Sequence, residues 1–174
     1  VTLTMTGVSS GGTLLSWVGI LTANFAGPVA GNNSNTYTQV FSQAFPSPYT
    51  AYTIRGYRSY SASGGSDHTF TVDKSSGAIQ ECTLVGLLLS GGTIVDQSVT
   101  QQDNAGAGHT FTSGSVTVTG AARLVAIATG DGDPNATAPT QTWPTGDGWT
   151  VLRSVARNNT QDASGHIPLY LATK

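Results

Sequence analysis

The sequence predicts an all-β domain, an antiparallel β-sandwich of jelly-roll-like form, and three observations carry that expectation. A Thr-alternating stretch is followed three times, after a polar break, by an apolar stretch stopping at or near glycine. Clusters of Gly, Pro, Asn and Ser punctuate the chain between these runs. No extended segment keeps a helical period. Alternation of apolar and polar residues marks a strand with one wet face, whereas a short unbroken apolar run marks a strand buried on both sides.

The first copy of the echo is Val1 to Thr6, where threonine occupies every second position, then Leu14 to Gly19. Ser9 to Gly12 form the turn between them, and the apolar strand runs on to Leu21. Gly27-Pro28 and Gly31 to Asn35 are turn signals, and Thr36 to Phe41 reads as the next strand. Phe45-Pro46-Ser47-Pro48 ends it, because proline has no amide donor. Tyr49 to Tyr60 reads as a long strand with Tyr52 and Ile54 on one face and Arg55 and Tyr57 on the other. A Ser/Gly turn over 61–66 precedes the second copy, His68 to Val72 and then Leu84 to Gly92.

Thr93 to Gln101 adds a strand, and Asn104 to Gly108 turn into the third copy. That copy is His109 to Thr119 followed by Leu124 to Gly130. A turn-rich stretch from Asp131 to Gly148 leads to strands at Trp149 to Arg157 and Ile167 to Thr173. Uneven spacing of the echoes argues against a solenoid and for the same strand types recurring in one sandwich. After Thr173 the pattern calls for another apolar strand; either the final strands are absent, or a strand from a neighbouring subunit fills the open sheet edge.

The 174 residues suit one domain, 1–174, with a core large enough to need no staples. Charged residues make up only 9%, against about 25% in an average soluble domain, so the surface is built from Ser, Thr, Asn, Gln and Gly. A net charge of −2 with scattered basic residues provides no field for nucleic acid or anionic lipid. No apolar run approaches the roughly 20 residues of a membrane helix. The single cysteine, Cys82, can form neither an internal disulfide nor a zinc site and is expected to be a small buried hydrophobe.

The motifs resemble those of a loosely defined group of Ser/Thr/Gly-rich β-sandwich proteins encoded by phages and bacteria. The segments concerned are Val1–Gly19, Asn35-Thr36-Tyr37-Thr38, Ser113 to Thr119, and Gly148-Trp149-Thr150-Val151-Leu152-Arg153. The resemblance implies a jelly-roll-like domain of virion surface proteins or secreted bacterial proteins, and it brings no catalytic residues.

Candidate chemistry is sparse. Asp131, Asp133 and Asn135 place oxygen ligands at alternating positions, the spacing with which one loop wraps a calcium ion. Pro134 and Thr142 depart from a full calcium loop, and an acidic turn bonding its own backbone is the other reading. Trp143 in the long loop offers an indole that can stack on a sugar, with Asp147 as a polar partner and Tyr57 as a second platform. Packing against a neighbouring subunit is the competing reading for Trp143. Asp67-His68 is no triad fragment, since neighbours along a strand point to opposite faces. No His-Glu-x-x-His motif occurs.

The sequence-based expectation is therefore a non-enzymatic structural protein of a phage virion surface without a cofactor. It would be a capsid decoration (cement) protein or a head or tail fibre component. Its partners are other virion proteins or copies of itself, a homotrimer being the expected assembly. The alternative is a secreted carbohydrate-binding module or receptor-binding domain that recognises a glycan receptor through loop aromatics.

Overall fold

A computed structural model describes residues 2–8, 10–21, 30–45, 52–60, 65–73, 82–89, 117, 125–129, 147–155 and 169–174. They form ten strands in chain order: β1 (Thr2–Val8), β2 (Thr13–Leu21), β3 (Ala30–Gly31), β4 (Thr38–Ala44), β5 (Tyr52–Ser59), β6 (Gly65–Thr71), β7 (Cys82–Leu89), β8 (Val125–Thr129), β9 (Thr150–Val155) and β10 (Leu169–Thr173). No helix occurs among the described residues. The expected strands at Thr93–Gln101 and His109–Thr119 lie outside the described residues, apart from Thr117, which is exposed and not in a strand.

Every pairing is antiparallel. The sheets run β1-β6-β3, β4-β5-β2-β7 and β8-β10-β9. Over the first seven strands the chain passes repeatedly between the first two sheets, with only β4 and β5 adjacent both in sequence and in a sheet.

The echo explains itself in this arrangement. Each of its first two copies contributes a Thr-alternating strand to the first sheet and an apolar strand to the second, and the copies pair with one another. β1 pairs with β6 at Leu3↔Phe70 and Met5↔His68, and β2 pairs with β7 at Ser16↔Gly86. In β1 the threonines are exposed while Leu3 and Met5 turn inward. Gly7, at φ +68°, breaks the alternation, so Val8 is buried in place of residue 7.

β2 is buried on both faces, as its unbroken apolar run predicts. Leu15 and Trp17 join Ile54, Val85 and Leu171 in one cluster, with Phe41 and Val125 packed against it. From the opposite face, Val18 meets Tyr57, Phe70 and Val72, with Leu3, Met5, Tyr37, Cys82 and Leu84 around them. The β4-β5-β2-β7 sheet thus meets the first sheet on one face and residues of the third on the other. Half-buried Cys82 lies beside the second cluster, in keeping with a small hydrophobe.

Two irregularities shape this framework. The β4–β5 register slips between Gln39 and Phe41, leaving Val40 as the extra residue and setting Phe41 opposite Gly56. A Cβ on Gly56 would lie only 2.8 Å from Phe41 Cδ1, so the ring occupies the space that any side chain there would need. The second slip lies in β9.

The last described strand is paired on both sides. β10 is no open edge: β8 pairs with it along one side and β9 along the other, both within this chain. Its ladder positions are filled from within the chain.

Candidate functional site

The clearest surface feature is built on β9. A turn at Asp147-Gly148 starts it, half-buried Trp149 follows, and Thr150 to Arg153 are all exposed. Among the described strands β9 lies at the edge of its sheet. Its register against β10 runs Leu171↔Arg153 and then Ala172↔Val151, so Leu152 is an extra residue without a ladder partner. A bulge bends the strand and re-aims side chains. At this bulge stand two consecutive exposed apolar residues, Val151 at 50% and Leu152 at 39%, within a run that is exposed from Thr150 to Arg153.

An exposed aromatic, Tyr60, lies just past the end of β5. Arg58 Nη1 donates a 2.6 Å hydrogen bond to the Tyr60 hydroxyl, and the guanidinium carbon sits 4.5 Å from the ring centroid. The cation therefore covers one side of this ring.

Inside, a polar cluster ties the 32–35 turn to β6. Asn35 N–H donates to Asn32 O at 3.1 Å, closing a turn whose central residues Asn33 and Ser34 both have positive φ. Asn32 Oδ1 accepts from Thr69 N–H at 2.7 Å. Asn35 Nδ2 lies 3.1 Å from Asn32 O and 2.6 Å from His68 Nδ1. Above this, Tyr37 packs edge-on against Phe70, and burial pushes its phenol up to about 12.

The expected site residues fare unevenly. Trp143, Asp131, Asp133 and Asn135 lie outside the described residues, and with them the calcium loop. Asp147 is exposed in the turn that opens β9. Tyr57 is corrected: at 5% exposure its ring packs on Phe70, with centroids 5.6 Å apart, and offers no stacking platform to a sugar. Alternation assigned Tyr57 to the right face of β5, but that face is covered by the first sheet. Burial raises the Tyr57 phenol pKa, partly offset by the hydrogen bond and positive charge of Arg55. Among the described residues no group of three His, Cys, Asp or Glu side chains is placed to hold a metal ion.

The bulged apolar pair at Val151-Leu152 went unremarked in the sequence, because Trp149–Arg157 reads as an ordinary strand. Compared with known proteins, the chain matches no family model, no curated protein and no solved structure.

Proposed function

We propose that this chain is a non-enzymatic structural protein of a phage virion surface, a capsid decoration protein or a head or tail fibre component. It acts by protein–protein assembly. The observation that carries the reading is the exposed Val151-Leu152 pair at a bulge on an edge strand. Bulged edges resist indiscriminate strand pairing, while apolar side chains on them gain from a matching surface. Burying such side chains gives about 1 kcal/mol each at half exposure. A stable interface spans roughly 1,200–2,000 Å², so β9 is one part of a larger contact. The sparse charge supports the same reading, since it lowers the desolvation cost of bringing large surfaces together.

In this proposal the first seven strands form a jelly-roll-like sandwich, with β1-β6-β3 facing β4-β5-β2-β7. Chain crossings between the two sheets support it. The sandwich acts as a rigid body, and the neighbouring subunit is another virion protein or a further copy of this chain.

The test uses the double variant Val151→Asp/Leu152→Asp. Both sites are exposed, so the variant should keep the native far-UV spectrum and melting temperature within about 2 °C. Purified wild-type protein is expected to co-sediment with phage particles from the culture that carries the gene, and the variant to bind at least about tenfold more weakly. Binding to polysaccharide with no binding to particles would overturn the proposal in favour of a carbohydrate-binding module.

A further inference from the structure

Among the described residues, Ser16 Oγ and His68 Nε2 are buried without a hydrogen-bond partner. Both residues are 0% exposed, Ser16 in the middle of β2 and His68 in the middle of β6. The two strands belong to different sheets, but packing brings their positions together. Met5 pairs with His68, and Ser16 pairs with Gly86. A Cβ on Gly86 would meet Met5 Sδ and Leu3 Cδ2, each at 2.8 Å, so Gly86 lies beneath the stretch of β1 between those residues. On the same face of β2, Leu14 packs near Met5 and Val18 packs with Phe70, so Ser16 between them is directed toward the part of the first sheet that carries His68.

The chemistry of the imidazole follows from Asn35. Its Nδ2 has two hydrogens, and both have acceptors in range, Asn32 O at 3.1 Å and His68 Nδ1 at 2.6 Å. Nδ1 is then an acceptor, and the neutral ring carries its proton on Nε2. That N–H and the Ser16 hydroxyl are both buried without a hydrogen-bond partner. A buried donor left without an acceptor is costly, and interiors commonly meet such a need with an ordered water holding two or more polar partners.

We propose that Ser16 and His68 form an internal water-binding site between the two sheets. One water accepts from His68 Nε2–H and exchanges a second hydrogen bond with Ser16 Oγ. The site has a mechanical role. By holding the proton on Nε2, the water keeps Nδ1 free to accept from Asn35, which secures the 32–35 turn and its Asn32–Thr69 bond to β6.

The test requires no variant in its first part. Nitrogen spectra of the native protein should place the His68 proton on Nε2, and a high-resolution diffraction map should show a water bonded to both atoms. A proton on Nδ1, or Ser16 Oγ bonded directly to His68, would overturn the proposal. In the second part Ser16→Ala removes one long-lived water from the count given by magnetic relaxation dispersion. It also speeds exchange of the Thr69 amide by about tenfold. An unchanged water count in the folded variant would contradict the assignment.

Discussion

Replacing Gly56 by alanine tests the packing of the central sheet at its tightest contact. The added Cβ would lie 2.8 Å from Phe41 Cδ1 and 3.0 Å from Cζ, with Cε1 nearer still. A phenyl ring cannot bend away as the end of a flexible chain does, so the ring must leave its rotamer or the two strands must part. Val40 already takes up the slack as the extra residue of the β4 bulge. Overpacking of this kind costs about 1–3 kcal/mol, and about 2 kcal/mol is expected here. In a domain of this size that lowers the melting temperature by about 4–8 °C.

A cycle with Phe41→Ala isolates the cause. Phe41→Ala alone should cost about 2–3 kcal/mol, the ring being only half-buried. Once the ring is gone the alanine at position 56 has room, so the double variant should be little worse than Phe41→Ala. Urea unfolding should then yield a coupling of about 2 kcal/mol. Simple additivity within about 0.5 kcal/mol would refute the claim that the ring occupies the space over Gly56.

Other perturbations address the turn, the phenol and the core. Ser34 has φ 59°, a conformation that costs an L-residue about 1–2 kcal/mol, against about 0.5–1 kcal/mol for the greater freedom glycine loses. Ser34→Gly should therefore raise the melting temperature by about 1–4 °C, whereas a fall would show that its side chain holds the turn. Tyr37 keeps its proton up to about 12 in the folded protein, compared with an ordinary value near 10. Its contribution is complete below pH 10 and is lost as pH rises from 10 to 12, at most about 2 kcal/mol after discounting for partial solvent access. Denaturant midpoints measured from pH 9 to 12 should fall in that window, and Tyr37→Phe should flatten the fall. Val18→Ala removes two methyl groups from a fully covered site and should cost about 2–3 kcal/mol in urea unfolding. A cost under about 0.5 kcal/mol would mean that the sheets do not meet there.

Much of the framework was legible because side-chain period and burial are directly linked. Thr2, Thr4 and Thr6 against Leu3 and Met5 gave one wet face, and Leu14 to Val18 gave a strand covered on both sides. The echo was legible as recurrence of strand types, but its meaning depended on pairing: β1 with β6 and β2 with β7 set the two copies side by side. Long-range register of this kind leaves little trace in local composition. The bulges at Val40 and Leu152 were invisible for a related reason, since one inserted residue shifts the ladder without altering residue type. β3, only two residues long, is too short to display a period. Tyr57 shows the limit most clearly. The alternation placed it opposite Ile54, but whether that face met water or another sheet depended on where β6 packed.

An image of the assembled particle at side-chain resolution most directly tests the proposed role of β9 as a contact surface. Density for this chain is expected on the outer surface, with Val151 and Leu152 covered by a neighbouring subunit. A particle without the chain, or one in which the β9 bulge faces open solvent, would contradict that role.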